Sequence, residues 1–340
     1  MGIRPLTATL SFAVTVSLSA SDALRPSRAH TVIITNTQDG TNRTSLRGAI
    51  IEANRRGGNN TIILTATNYD LSIGGSDEDA AQTGDLDIVG QNLTIVGQSN
   101  GTTSISANYI DRVFHVLPHA QLRLVNVILT GGFAPPYRFP SPGFKGESGG
   151  SILNEGTLIM KHCILTGNSS GDAGDFDGGA DGGDGGAIYN TGTLMMSGCA
   201  VNGNQCGPGS KGGNGGGIFN AGFALLRNCV IGTNQAGPGY RLSNFTGAGG
   251  NGGDGGGVYN SGTMLVLSCT VGGNSSGAGE RGSSIGIGGW ITGPGGGGPG
   301  GSGGVELASI TIGSSRSRSR ASAEMFVGTA HGEDLAITVA

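Results

Sequence analysis

Five polar residues in the first third of the chain have the types and spacing needed for acid–base chemistry. Asp85 and Asp87 are two positions apart, so on a strand their carboxyl groups would point to the same side, about 6.5–7 Å from each other. Asp111 stands directly before Arg112, with His115 close behind. Glycoside hydrolysis requires two carboxylates at a fixed separation, one of them a proton donor. These acids and Arg112 are therefore the candidate catalytic residues, and turn-capping or solvated side chains are the alternative interpretation.

A second acidic group lies in the glycine-rich segment 171–186. Oxygen ligands on a flexible backbone suit Ca²⁺, so this segment is a candidate calcium site, and no other cofactor is expected. The nine-residue period of known Ca²⁺-binding repeats is absent, which leaves a solvated loop as the alternative. The histidines show neither metal-ligand spacing nor a nucleophile partner. The candidate ligands are Asp172, Asp175, Asp177, Asp181 and Asp184.

The second half of the chain repeats one pattern. The segments 158–168, 194–204, 224–234 and 264–274 align without gaps, and each follows a shorter matching element. Equivalent positions step by 36, 30 and 40 residues, so only the glycine-rich insert between the blocks changes length. The repeated positions include one asparagine and one cysteine per block: Asn154, Asn190, Asn220 and Asn260, and Cys163, Cys199, Cys229 and Cys269.

A repeat of this length predicts a solenoid, a propeller or an array. Each block contains three alternating apolar runs of only a few residues, which are too short for propeller blades. Stacked on the next block, such runs would form three parallel sheets around a narrow core. The sequence therefore predicts an all-β protein, a single-stranded parallel β-helix over 31–315, with glycine-rich repeats over 149–274.

The stacking predicts ladders of identical side chains about 4.8 Å apart. Asparagine amides at a turn can form hydrogen bonds along the stack and tolerate the bent backbone. Free cysteine packs as a small hydrophobe, and this spacing exceeds the usual ~3.5–4.5 Å between the Cβ atoms of a disulfide. The four repeated cysteines are thus predicted to be a reduced core ladder, with disulfides as the alternative. Cys206 lies in a glycine-rich loop outside this ladder, so we expect it to be exposed.

A short amphipathic helix is predicted over 44–54. Its apolar positions from Leu46 to Ala53 follow helical spacing, with Thr44 or Ser45 as the N-cap. An exposed end of a β-helix would leave apolar core and unpaired strands open to solvent. We therefore expect this helix to cap the N-terminal end of the solenoid.

The helical segment TSLRGAIIEAN, with NNTIIL, TGDLDIVGQNLTIVG and DRVFHV after it, resembles the bacterial CSLREA-type domain. The element GGAIYNTGTL is similar to the right-handed β-helix repeats that follow this domain, which are related to those of polymorphic outer-membrane proteins and to the pectate-lyase-like fold. The resemblance spans residues 31–274, although Thr44 replaces the usual cysteine and Gly48 the usual glutamate. It implies a right-handed solenoid and says little about activity. Lyases of this fold use carboxylates that hold Ca²⁺ near a basic residue that abstracts a proton.

Composition excludes several classes of protein. Glycine makes up 70 of 340 residues and is concentrated between Gly146 and Gly304, while prolines number 11 and no three-residue period exists, which excludes collagen. The cost of glycine inside helices excludes a mainly helical protein. The net charge of −4 and the lack of a basic stripe with interleaved aromatics argue against nucleic-acid binding.

The two ends of the chain differ from the repeats. Residues 1–23 are predicted to be a secretory signal peptide because Arg4 precedes an uncharged run of apolar and small residues, and a disordered N-terminus is the alternative. Residues 316–340 are predicted to be a flexible tail. No stretch of sequence is long and apolar enough to span a bilayer. These features predict a secreted or cell-surface location.

Two functions are compatible with the sequence. The favoured one is a non-catalytic, monomeric β-helix that contacts polysaccharide or another cell-surface ligand through its glycine-rich loops, as solenoids do on their binding faces. The alternative is a polysaccharide lyase or glycoside hydrolase. A cluster of acids in a groove on one sheet face would favour the enzyme, and a face of Ser, Thr and Asn would exclude it.

Overall fold

The computed structural model describes residues 29–75, 78–90, 92–99, 101–134, 145–173, 180–240 and 250–279. The predicted signal peptide at 1–23, the predicted tail at 316–340 and the predicted part of the solenoid at 280–315 lie outside the described residues. The described strands form three sheets in which every pairing is parallel.

From its second strand onward, the chain visits the three sheets in rotation, one strand per sheet in each coil; the first two strands are separated by a helix and lie side by side in one sheet. The eight-stranded sheet contains β1 (His30–Ile34), β2 (Asn60–Leu64), β5 (Leu93–Val96), β8 (Gln121–Val125), β11 (Thr157–Lys161), β14 (Thr193–Ser197), β17 (Phe223–Arg227) and β20 (Thr263–Leu267). The seven-stranded sheet contains β3 (Asn68–Asp70), β6 (Thr103–Ser106), β9 (Val127–Thr130), β12 (Ile164–Thr166), β15 (Ala200–Asn202), β18 (Val230–Gly232) and β21 (Thr270–Gly272). The six-stranded sheet contains β4 (Leu86–Ile88), β7 (Phe114–Val116), β10 (Ile152–Asn154), β13 (Ile188–Asn190), β16 (Ile218–Asn220) and β19 (Val258–Asn260). The predicted right-handed parallel β-helix is confirmed.

The core runs along the axis of the coils. In each strand of the repeats, alternate residues turn inward, and these positions carry apolar side chains except for the asparagine that ends each repeat strand of the six-stranded sheet. Full burial of one such side chain contributes roughly 1.5–3 kcal/mol. A three-residue strand has too little area to be stable alone, so each coil depends on its two neighbours. One complete coil contributes Ile188, Leu194, Met196, Cys199 and Val201 to this core.

The helix α1 (Leu46–Arg56) lies on the first coils and contacts β1, β2 and β4. Ser45 is the N-cap, and its hydroxyl accepts a hydrogen bond from the backbone N–H of Gly48. The helix ends at Gly57, whose φ of +63° is in the left-handed region that favours glycine. Its buried apolar face covers the core at this end of the solenoid, as the amphipathic spacing predicts.

One charged side chain of this helix is fully buried. Arg47 donates hydrogen bonds to both carboxylate oxygens of Asp39, at 2.8 and 3.2 Å, and to the backbone carbonyls of Ala81, Gly84 and Asp85. Burial acts to raise the pKa of Asp39, but the hydrogen bonds from Arg47 and from two backbone N–H groups outweigh it, so this pKa lies below its ordinary value. Arg47 therefore connects two separate segments, the loop at Asp39 and the segment 78–85, to the helix.

The glycine-rich inserts form an ordered layer where they are described. Their backbones approach so closely that a Cβ atom on Gly213 would lie 1.8 Å from the carbonyl oxygen of Gly183 in the neighbouring coil. Hydrogen bonds between backbones connect the layer from coil to coil through Gly207, Gly213, Gly237, Gly253 and Gly277. Glycine is required here because a side chain would occupy the space of a neighbouring peptide.

We expect Gly213→Ala to destabilise the solenoid by about 1–3 kcal/mol, because the new methyl group overlaps rigid backbone. The matched control is Gly272→Ala on β21, where an added Cβ meets nothing within 4 Å. Chemical denaturation of both variants measures the effect. Equal stability of the two variants would contradict the packed glycine layer.

We also expect Arg47→Met to destabilise the protein by about 3–5 kcal/mol, because it leaves the Asp39 carboxylate buried without its partner. The control is Arg43→Met, since the Arg43 side chain is 73% exposed and its loss costs little. A similar loss of stability in Arg47→Met and Arg43→Met would contradict a specific contribution of the buried Arg47–Asp39 pair to the free energy of unfolding.

The same pair predicts the effect of acid. Because the pKa of Asp39 is lowered in the folded protein, its stabilisation is present above the ordinary aspartate pKa and is lost as the pH falls through the folded value. The difference in unfolding free energy between the wild type and Arg47→Met should therefore narrow on acidification. A constant difference down to the acid-unfolding midpoint would contradict this assignment.

Candidate functional site

Charged side chains gather on the outer face of the six-stranded sheet at β4, β7 and the turns beside them. The candidate residues Asp85, Asp87, Asp111 and Arg112 all lie here, together with His115; we call these five residues the acidic cluster. Asp87 and His115 are paired in register on adjacent strands. The structure thus brings together residues that the sequence placed in two separate segments.

Asp87 is held from two sides. Its backbone carbonyl accepts a hydrogen bond from the Asn54 amide at the end of α1, at 2.8 Å. Its Oδ2 atom accepts one from the backbone N–H of Ala81, also at 2.8 Å. The segment 78–85 therefore folds over the sheet, and Asp87 is fully buried although it occupies an outward position of the strand.

Arg112 binds the carboxylates beside β4. Its Nη1 atom lies 3.4 Å from Asp85 Oδ2, its Nη2 atom donates to the Glu147 carboxylate, and its backbone N–H donates to Asp111 Oδ1 at 2.7 Å. Asp85 and Asp111 are almost entirely buried. The guanidinium thus lies beside the buried Asp85 carboxyl group and the Glu147 carboxylate.

Burial has the largest effect on the pKa values of Asp85 and Asp111. It raises the pKa of Asp85 to about 8, against the attraction of Arg112, and the nearby carboxylates of Asp111 and Asp87 add to the rise. Burial likewise raises the pKa of Asp111 to about 6, again opposed by Arg112. A carboxylic acid that stays protonated at neutral pH can donate a proton, so the cluster has the chemistry of a general acid.

His115 connects the cluster to more exposed groups. Its Nε2 atom lies 3.0 Å from Glu155 Oε2, and its Nδ1 atom lies 3.5 Å from Asp87 Oδ1 and 3.7 Å from Asp79 Oδ1. Burial acts to lower its pKa, but the carboxylates of Asp87 and Glu155 outweigh burial and raise it. The ligand atoms of His115, Asp87 and Asp79 lie within 4.8 Å of one another.

Sequence reasoning missed three members of this neighbourhood, namely Asp79, Glu147 and Glu155. Asp79 and Glu147 lie in loops without a repeated position, whereas Glu155 follows the repeated Asn154 in the turn after β10. The His115–Glu155 contact spans 40 residues of chain and forms only because neighbouring coils stack. The repeat gives the position of Glu155, but no spacing rule places His115, on the earlier strand β7, opposite it.

The outward column that contains Asp87 and His115 continues as a row of apolar side chains. The register places Leu153, Tyr189, Phe219 and Tyr259 after His115 on successive strands. The rings of Tyr189 and Phe219 are stacked at 4.8 Å, and those of Phe219 and Tyr259 at 5.0 Å. The aromatic residue before three of the four repeated asparagines was the sequence signal for the rings Tyr189, Phe219 and Tyr259, which we call the aromatic column.

Charged side chains also flank the aromatic column. Burial raises the pKa of Tyr189, the positive charge of Lys145 opposes this, and the carboxylates of Asp184 and Glu155 add to the rise. These three groups therefore lie near the Tyr189 ring. The half-buried Tyr189 ring therefore has charged groups beside it and the Phe219 ring stacked against it.

Two of the three described candidate calcium ligands, Asp181 and Asp184, form hydrogen bonds within the glycine layer. Asp184 Oδ1 accepts from the backbone N–H of Asn214 at 2.7 Å, and its other oxygen pairs with Lys145. Asp181 Oδ1 accepts from the backbone N–H of Lys211 at 3.1 Å. Burial raises the pKa of Asp172. Asp175 and Asp177 lie outside the described residues, so calcium binding by this segment stays a prediction.

The repeated asparagines lie one above another. Each Nδ2 atom donates to the Oδ1 atom of the next asparagine, at 2.5–2.6 Å, from Asn154 through Asn190 and Asn220 to Asn260. A second ladder, which the sequence analysis did not single out although its spacing is the same, contains Asn168, Asn204, Asn234 and Asn274. The amides of both ladders also donate to backbone carbonyls, for example Asn154 to Thr193 and Asn168 to Leu129, so these polar groups have several partners at the turns.

All five cysteines are free thiols and buried. Cys163, Cys199, Cys229 and Cys269 occupy equivalent inward positions of successive coils. The expectation that Cys206 is exposed is wrong. Its side chain lies beneath the glycine layer, where Sγ is 3.2 Å from the backbone carbonyl of Asn214, and burial raises its pKa to about 12.

Comparisons of the chain with protein-family models, with curated proteins and with solved structures gave no match. The similarity of its first coils to the CSLREA-type domain therefore stays a prediction, whereas the parallel β-helix rests on the structure itself. Within the described ranges, no helix combines the length and hydrophobicity that crossing a membrane requires.

We expect no cysteine of the native protein to react with a thiol reagent, and five to react after unfolding without a reductant. The reason is that all five thiols are buried and unpaired. Thiol counting with a chromogenic disulfide checks this, and Cys206→Ser should reduce the unfolded count to four. A reactive thiol in the native protein, or fewer than five after unfolding, would overturn the assignment.

Proposed function

We propose that the protein is a secreted or cell-surface β-helix that binds polysaccharide without cleaving it. The observation that carries the proposal is the aromatic column on the outer face of the six-stranded sheet. Its rings lie in register on consecutive coils and are only half-buried. The acidic cluster stands at one end of the same face.

The column suits a linear polymer for a geometric reason. Successive strands of a parallel sheet repeat every ~4.8 Å, so a glycan chain lying along the solenoid axis meets an equivalent side chain on every coil. Sugar rings present both C–H surface and hydroxyl groups. Ring edges and the hydroxyl groups of Tyr189 and Tyr259 offer the matching apolar and polar contacts.

The glycine-rich inserts were expected to supply the ligand-binding loops, and in this proposal they supply charged groups at the edge of the binding face. Backbone hydrogen bonds connect their described parts, the glycine layer, from coil to coil. Lys145 and Asp184 belong to this layer and lie near Tyr189. We infer that these charged groups bind sugar hydroxyls while the six-stranded sheet supplies the contact surface.

A polysaccharide lyase or hydrolase is the second candidate, and the acidic cluster is the observation that favours it. Its carboxylates lie beside Arg112 at the end of the aromatic column, as acids at a bond-cleaving site would. However, Asp85, Asp87 and Asp111 are each less than a tenth exposed. A substrate would reach them poorly, so binding without cleavage is the function that the geometry supports better.

We expect Phe219→Ala to weaken retention on the polysaccharide that binds the wild type by about tenfold, equivalent to about 1.4 kcal/mol, because the central ring of the column is removed. Affinity electrophoresis against a panel of plant and microbial polysaccharides measures this. The matched control is Phe223→Ala, since Phe223 is an exposed aromatic on the eight-stranded sheet.

The same incubations distinguish the two candidates. Retention without release of reducing or unsaturated ends, with and without Ca²⁺, supports binding. Release of such ends would establish the enzyme instead. If no polysaccharide in the panel retains the protein, or if both phenylalanine variants weaken retention equally, the proposal for the aromatic column fails.

A further inference from the structure

We propose that Asp79, Asp87 and His115 form a binding site for a divalent transition-metal ion of the Zn²⁺ class. The site is independent of the polysaccharide proposal. It lies where the segment 78–85 covers the outer face of β4 and β7, and its donor set is one imidazole nitrogen and two carboxylate oxygens.

The distances fit a small tetrahedral ion. Zn²⁺ binds nitrogen and oxygen ligands at about 2.0–2.2 Å, so neighbouring ligands of a tetrahedral site are about 3.4 Å apart. His115 Nδ1 lies 3.5 Å from Asp87 Oδ1 and 3.7 Å from Asp79 Oδ1. All three ligand atoms lie within 4.8 Å of one another. The Asp79 side chain is 70% exposed and free to close the remaining gap.

Asp87 supplies an independent sign that something binds here. Its side chain is fully buried, and its Oδ1 atom accepts no hydrogen bond in the described part of the chain. Its Oδ2 atom is occupied by the backbone N–H of Ala81, which aims Oδ1 toward His115. A buried carboxylate oxygen without a partner is costly, and a metal ion would remove that cost.

The other side of His115 is arranged as it is in metal sites. Glu155 Oε2 lies 3.0 Å from Nε2, and because a carboxylate only accepts, the proton belongs on Nε2. The lone pair is then on Nδ1, which faces the two aspartates. A proton or a metal ion on Nδ1 offsets the repulsion between these acceptors, and a carboxylate behind a ligating histidine is the usual outer partner in metal sites.

The surrounding charge also favours a cation. Asp79, Asp87, Glu155 and Asp85 contribute carboxyl groups around His115, and Arg112 is the opposing positive charge nearby. The mixed nitrogen and oxygen donors favour Zn²⁺ over Ca²⁺, which prefers six to eight oxygen ligands. Three protein ligands leave a fourth position for water. A bound ion would fasten the segment 78–85 to two adjacent coils.

The test is titration of the metal-free full-length protein with Zn²⁺ by calorimetry, and with Co²⁺ by visible absorption. We expect one ion per chain and an intense tetrahedral Co²⁺ spectrum. Asp79→Asn should weaken Zn²⁺ binding at least tenfold, and since Asp79 is exposed this variant should fold normally. His115→Ala should remove the spectrum, and Glu155→Gln should weaken binding by about 10–100-fold.

The matched control is His162→Ala, which removes an exposed histidine outside the cluster and should leave binding unchanged. The proposal is overturned if the wild type binds no more tightly than His115→Ala, or if His162→Ala weakens binding as much. It is also overturned if Ca²⁺ displaces Zn²⁺ at equal concentration, since an oxygen-only site would then be responsible.

Discussion

Stacking of successive coils in parallel register is the constraint on which the rest of this structure depends. No strand here is long enough to be stable alone, so each is held by hydrogen bonds to the equivalent strand above and below. In-register stacking also places side chains from equivalent repeat positions directly next to one another on adjacent coils. Each position of the repeat must therefore carry a residue that packs well against copies of itself. Asparagine amides, small thiols and flat rings satisfy this requirement, and all three form columns.

The same constraint explains many of the glycines in the described inserts. There the backbone of one insert lies directly against the backbone of the insert below, and a Cβ atom would overlap a carbonyl group. Glycine at these described positions is consequently a packing residue. Glycine is more often associated with mobile linkers. Because the described inserts are packed against one another, the proposed ligand surface is the six-stranded sheet beside them and not the inserts.

The first coils depart from the repeat, and the departure creates the site. In the register of the aromatic column, β4 and β7 carry Asp87 and His115 where later strands carry rings. The helix α1 and the buried Arg47 hold the segment 78–85 over these strands. A charged cluster and an aromatic column therefore share one face, because both occupy the outward position of the same short strands.

The sequence by itself determined the architecture of the repeats. Equal steps between asparagines and cysteines set the register, and alternation within each short run set which side chains face inward, because side chains on a strand have a period of two. Only the tertiary structure decided which acids meet His115 and that Cys206 is buried. Asp79 lies in an irregular segment, and Glu155 lies in a turn of the repeat on another coil. Their approach to His115 depends on how the segment 78–85 folds over the stack, and no local pattern encodes that path.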